Sequence, residues 1–150
     1  MRSPTEISRP TVLVVDDEPM MRELLIARLG TAGYPTLQAR DGQEAISLLA
    51  QSKPVAMVLD INMPGMDGFG VLESMNRTRS IETVRVMVLT ARNQTADVRR
   101  AIELGAKDFL TKPFTNAALL ARVERLVRPR REGPKAPPAA AAEPPSFSID

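Results

Sequence analysis

The chain has 150 residues, 43% hydrophobic and 25% charged, which suits one globular domain and is too apolar for wholesale disorder. Without Cys it can form no disulfide, thiol nucleophile or thiolate metal site; without His it has no imidazole ligand, no Ser-His-Asp triad and no phosphohistidine relay of its own. Twenty basic against eighteen acidic residues leave a net charge of +2, too little for a nucleic-acid footprint.

Residues 1–10 read as an N-terminal extension. No apolar stretch follows Arg2, so it is not a secretory signal. No apolar run anywhere approaches the ~20 residues of a membrane span. The chain is therefore expected in the cytoplasm. The folded part is expected over residues 11–127.

Val12 to Val15 is the first of three short, continuous apolar runs. The others are Val55 to Leu59 and Val84 to Leu89, the latter with only Arg85 polar. Each is rich in β-branched residues and too short for a helix, as in a parallel sheet covered on both faces. Thr36 to Ala39 and Asp108 to Thr111 fit two weaker strands. Helical spacing fills the intervals. Met21, Leu25 and Leu29 follow Pro19, and Gly30 and Gly33 are expected to stop that helix. Ala45, Leu48, Leu49 and Ser52 make a second helix after Asp41-Gly42. Phe69, Leu72 and Met75 make a third after Asp67-Gly68. Val98, Ala101, Ile102 and Gly105 make a fourth, and Leu119, Leu120, Val123, Leu126 and Val127 a fifth, ending near Pro129. The alternation predicts an α/β fold, a doubly wound parallel sheet of five strands flanked by five helices. Residues 128–150 are dominated by Pro and Ala and are expected to form a semi-rigid, extended tail or linker.

In such folds ligands bind off the carboxyl ends of the strands. Asp16 and Asp17 follow the first strand, Asp60 ends the third, Thr90 the fourth, and Lys112-Pro113 the fifth. Each has a plainer reading: Asp16-Asp17-Glu18 as a helix cap, Asp60 as a turn residue, Lys112 as a solvated charge. Together they fall on one edge without interrupting any apolar run. Two carboxylates ~4 Å apart repel by ~4 kcal/mol at an effective dielectric of ~20, so three ask for a cation. An all-oxygen donor set selects a hard ion, with Mg²⁺ the best match. A metal beside a carboxylate, a Lys and a Thr suits phosphoryl transfer, with one carboxylate as nucleophile. No Gly-rich P-loop occurs, so ATP is not the obvious donor.

At these residues the chain resembles a response-regulator receiver domain of bacterial two-component signalling, of the chemotaxis type. The likeness is carried by Val14-Val15-Asp16-Asp17-Glu18, Asp60-Ile61-Asn62-Met63-Pro64-Gly65-Met66-Asp67-Gly68, Leu89-Thr90-Ala91 and Asp108-Phe109-Leu110-Thr111-Lys112-Pro113-Phe114. It implies a flavodoxin-like strand order 2-1-3-4-5, with Asp60 as phospho-acceptor. Mg²⁺ would be held by Asp17, Asp60 and the backbone carbonyl of Asn62, with Asp16 acting directly or through water. Thr90 and Lys112 would contact the phosphoryl group, Ala91 would keep the site open, and the bond before Pro113 would be cis. Thr90 and Phe109 would act as the switch, reshaping the face made by the fourth helix, fifth strand and fifth helix.

The implied donor is a histidine kinase or phosphotransfer protein. The downstream protein partner is not named by the sequence. The switch face could also support a homodimer, and neither membrane nor direct nucleic-acid binding is expected. A stand-alone adaptor is the favoured reading. The alternatives are the receiver part of a longer regulator, with an output domain beyond Asp150, and a Mg²⁺-dependent aspartyl-phosphate phosphatase or phosphotransferase. Enzymatic action is expected only as self-phosphorylation and self-dephosphorylation. Arg99, Arg100, Arg122 and Arg125 read as a solvated helical face available to a partner.

Overall fold

The computed structural model describes residues 9–91 and 94–128. All but Arg9 and Pro10 of the expected extension, and all of the expected tail after Arg128, lie outside the described residues. In chain order the elements are β1 (Val12–Val15), α1 (Pro19–Thr31), β2 (Thr36–Ala39), α2 (Gly42–Gln51), β3 (Ala56–Asp60), α3 (Gly68–Thr78), a 3-10 turn (Ser80–Glu82), β4 (Arg85–Ala91), α4 (Thr95–Glu103), β5 (Asp108–Lys112) and α5 (Asn116–Val127). The five strands form one parallel sheet in the order β2-β1-β3-β4-β5. This is the flavodoxin-like α/β fold, and the order places β1 and β3 side by side at the centre.

The apolar runs bury both faces because alternate residues point to opposite sides. Leu13, Val15, Met57 and Leu59 join one core cluster with Val71, Leu72 and Met75 of α3. Val12, Val14, Val58, Met87 and Leu89 join the other, with Leu25 and Leu29 of α1 and Leu119 and Val123 of α5. Three of the helix starts, those of α2, α3 and α5, are fixed by side-chain caps. Asp41 accepts from the Glu44 amide at 2.8 Å, Asp67 from Gly70 at 3.0 Å, and Thr115 from Ala118 at 3.0 Å.

Several boundaries differ from the sequence pattern. Gly30 lies inside α1, which runs to Thr31. The chain turns instead at Gly33, whose φ of +93° is open to glycine, and whose amide bonds back to the Gly30 carbonyl at 2.9 Å. Ser52 caps α2 rather than extending it, and α4 ends at Glu103, before Gly105. β3 and β4 begin one residue later than expected, and β4 and β5 run on to Ala91 and Lys112. The 3-10 turn was not expected. It follows Arg79, whose φ of +68° reverses the chain without a glycine to announce it.

At the amino end of β4, the Arg85 guanidinium donates to the carbonyls of Leu126 and Arg128, at 3.3 and 3.4 Å. The C-terminus of α5 is thereby fastened to the sheet edge opposite the strand carboxyl ends. α4 is tied to α3 at two heights. Arg100 lies 4.1 Å from the Phe69 ring centroid and 3.4 Å from Glu73, and Asn76 donates to the Leu104 carbonyl at 2.7 Å.

The turn after β3 admits no side chain at Gly68. A Cβ there would stand 2.7 Å from the Ile61 Cα and 2.8 Å from the Asp60 carbonyl oxygen, both backbone atoms that cannot step aside. Gly68→Ala should therefore lose about 1–3 kcal/mol in urea denaturation. Gly30→Ala, where nothing lies within 4 Å, should be neutral or gain up to ~1 kcal/mol. Equal effects of the two substitutions would contradict this packing.

Candidate metal and phosphoryl site

Every residue of the site is delivered by the carboxyl end of a strand. β1 runs directly into Asp16 and Asp17, β3 ends on Asp60, β4 carries Thr90 and Ala91, and β5 ends on Lys112. The register sets Asp60 beside Leu89 and Ala91 beside Lys112, so Thr90 sits one step beyond the partner of Asp60. The Lys112–Pro113 peptide bond is cis.

Asp16, Asp17 and Asp60 converge: one carboxylate oxygen from each lies within 4.8 Å of the other two. The Lys112 ammonium reaches Asp60 Oδ1 at 3.6 Å and Asp16 Oδ2 at 3.7 Å. Asp16 and Asp60 are buried, whereas Asp17 is more open to solvent. Asp60 Oδ1 accepts from the Asn62 amide at 3.1 Å, and Asp16 Oδ1 from the Glu18 amide at 2.9 Å. The other Asp16 oxygen, Oδ2, is buried without a hydrogen-bond partner.

The helix-cap reading of Asp16-Asp17-Glu18 holds only in position. Glu18 occupies the cap position of α1, and no side chain caps it. Asp16 instead folds its carboxylate over its own loop, leaving Oδ2 for something else. The charge state reflects the crowding. Burial raises the pKa of Asp60 to about 6, opposed by Lys112 and the Asn62 amide and reinforced by Asp16 and Asp17. Burial likewise raises that of Asp16, against the Glu18 amide and Lys112. One ammonium does not offset three carboxylates in so small a space. An unsatisfied buried oxygen, an all-carboxylate donor set and excess negative charge fit a hard divalent cation.

Asp17, Glu18, Pro19, Asp60, Asn62, Ala91 and Lys112 line an open depression of about 490 Å³. Asn62 is exposed on its rim. Thr90 is buried just behind it, with its hydroxyl turned to the Ala91 carbonyl at 3.3 Å. Phe109 is half-buried against the α3 side of the sheet, with the Arg122 guanidinium 5.9 Å from its ring centroid. Of the four arginines read as a solvated face, Arg99 is exposed. The others have partners: Arg100 has Phe69 and Glu73, Arg122 reaches Asp108 at 2.7 Å, and Arg125 reaches it at 3.9 Å. Sequence reasoning also passed over Arg22, which donates to the Asp16 carbonyl at 2.7 Å. A charged residue in the first turns of a helix carries no local sign of such a contact. Exposed Met20 and Leu24, one turn apart on α1, were likewise not singled out.

Among the described residues, no helix is long and apolar enough to cross a membrane. The solved chemotaxis protein CheY4 of Vibrio cholerae superposes with a TM-score of 0.74 at 28% identity, over 79% of this chain and 98% of that one. A response regulator of Chloroflexus aurantiacus gives 0.75 at 31% identity, with the same coverage. The probable transcriptional regulator ycf27 of Cyanophora paradoxa is 40% identical over 129 residues, 86% of this chain and 52% of that protein. The response regulator MprA of a Mycobacterium species is 40% identical over 128 residues, 84% of this chain and 55% of MprA. The chain thus spans about half the length of these curated relatives. The response regulator receiver domain model matches residues 12–124, and the chain belongs to that family of two-component signalling domains.

Proposed function

We propose that this domain accepts a phosphoryl group on Asp60 from a histidine kinase or phosphotransfer protein, and that the modification changes its protein contacts. The observation that carries the reading is the placement of Lys112 within 3.7 Å of both buried carboxylates, with Asp17 completing an oxygen-only cluster. Asp16, Asp17 and Asp60 would hold Mg²⁺, joined by the Asn62 backbone carbonyl. Mg²⁺ would supply charge neutralisation for the phosphoryl oxygens. The ionised Asp60 carboxylate attacks phosphorus, the P–N bond to the donor imidazole breaks, and an acyl phosphate remains on Asp60. Lys112 stands 3.6 Å from Asp60 Oδ1 and would offset charge that develops on the transferred group. Ala91, with only a methyl group on the rim, leaves the approach open. Met20 and Leu24, exposed beside the Pro19 rim, suit a protein donor better than a small ester.

In the switch that follows, Thr90 would exchange its Ala91 carbonyl contact for a phosphoryl oxygen. Phe109 would then repack, and the face of α4, β5 and α5 would present a new surface to a partner or a second copy. A shift from 1:99 to 99:1 would need ~5.5 kcal/mol of differential interaction. Turnover would be confined to the domain's own acyl phosphate. Output through protein contacts, as a stand-alone adaptor, is the first reading. A second is that these residues serve as the receiver part of a longer regulator. It is favoured by the 46–55% of curated relatives' length that the chain spans, several of them named as transcriptional or DNA-binding regulators. In that second reading, nucleic-acid binding would belong to a part of the regulator other than this receiver.

Asp60→Ala should abolish Mg²⁺-dependent labelling by acetyl phosphate or a cognate kinase; retained labelling at the same stoichiometry would remove Asp60 as acceptor. Asp17→Ala should weaken Mg²⁺ binding in calorimetric titration, and superimposable titrations would exclude Asp17 as a ligand. A third outcome concerns stability. A carboxyl whose folded pKa of about 6 exceeds its unfolded value of 3.8 opposes folding once ionised. Stability is lost as pH rises through that window. Asp60→Asn should therefore raise the Tm of the EDTA-treated protein at pH 7.5, by up to about 3 kcal/mol in free energy. The gain should shrink toward zero near pH 4; a gain independent of pH would contradict the burial argument.

A further inference from the structure

We propose that Arg22 is a positioning residue for the cation site, a brace that sets the loop presenting Asp16 and Asp17. The inference rests on the reading of that carboxylate cluster as a Mg²⁺ site. Only Asp16, Asp17 and Glu18 separate β1 from α1, so two of the three carboxylates hang on a very short loop. Arg22 spans it. Its Nη1 donates to the Asp16 carbonyl at 2.7 Å, and its Nε donates to Gln38 Oε1 at 2.9 Å. Gln38 lies on β2, the edge strand, beside Val14 of β1. One guanidinium therefore joins the second turn of α1, the exit of β1 and the edge of the sheet.

The Asp16 carbonyl belongs to the peptide unit that leads into Asp17. Holding that oxygen fixes the plane of the unit, and with it the direction in which the Asp17 side chain leaves the backbone. The backbone amide of Arg22 bonds to the Glu18 carbonyl at 3.0 Å, so the same residue anchors the far end of the loop. The fork matters as much as the charge. Nε and Nη1 point to different acceptors in one rigid plane, which a lysine ammonium cannot reproduce.

Geometry and field predict opposite signs, which makes the test decisive. A cation acting through its field repels Mg²⁺, and its removal would tighten binding. A brace that orients a ligand loses affinity when removed, commonly by tenfold or more for residues that orient metal ligands. Calorimetric titration of MgCl₂ into the full chain should give a Kd about tenfold weaker for Arg22→Met. Arg22→Lys should be nearly as weak, although its charge is kept. Gln38→Met should weaken binding by a smaller factor, and Arg22→Met/Gln38→Met should be no worse than Arg22→Met alone, because both remove one brace. Labelling by acetyl phosphate should fall at low Mg²⁺ and recover toward the parent value at saturating Mg²⁺.

Unchanged or tighter Mg²⁺ binding by Arg22→Met, even with a lowered Tm, would overturn the brace and leave Arg22 a stabilising residue. Parent-like affinity in Arg22→Lys, or multiplicative losses in the double variant, would also overturn it. If the parent chain shows no Mg²⁺ binding, the metal-site reading fails first and this inference falls with it.

Discussion

The domain depends on a charge imbalance that it does not resolve internally. Two buried carboxylates, Asp16 and Asp60, share the Lys112 ammonium, and Asp17 adds a third negative group at the mouth. Burial raises the pKa of both buried acids, so the fold holds them together against desolvation as well as mutual repulsion. The neighbours relieve this only in part: single amides from Glu18 and Asn62 reach one oxygen of each acid, and Asp16 Oδ2 receives none. A site left short of positive charge is prepared for species that carry it. The strand runs behind the site, buried on both faces, supply the rigidity that keeps the acids from separating.

That rigidity comes from a division of labour between strand interiors and strand ends. Val12 to Val15 is wholly buried, and the first polar side chains appear where the strand leaves the sheet. The turn after β3 is held by close backbone approach at Gly68 and by the Gly68 amide, which bonds to the Ile61 carbonyl at 3.0 Å. Asp60 is therefore flanked by a ladder on one side and a closed turn on the other. The same economy appears in α4, which Arg100 and Asn76 secure to α3 away from the pocket.

Strand positions and the convergence of Asp16, Asp17, Asp60 and Lys112 were legible because they rest on local signals: short β-branched runs, and polar residues at their ends. Order along the chain then implied proximity in space, since parallel strands bring like ends together. What escaped were contacts with no local signature. Arg22 and Arg100 look like solvated helical charges in the sequence, and only the packing of α1 on β2 and of α4 on α3 gives them partners. Arg79 adopts a left-handed conformation with no glycine to mark it, so the 3-10 turn stayed hidden. Gly30 misled in the opposite sense, since a glycine near a helix end need not be its stop. Thr90 was found by position, but its hydroxyl rotor, turned to the Ala91 carbonyl, could not be read from type alone.

Arg85 grips the last carbonyls of α5 at the edge where the strands begin, while the acidic cluster sits where they finish. The two features thus occupy opposite ends of the strands. Arg128, the last described residue, therefore stands a full strand's length from Asp60. The buried strands span that interval, so the sheet is the rigid member that sets how far the end of α5 stands from the carboxylates.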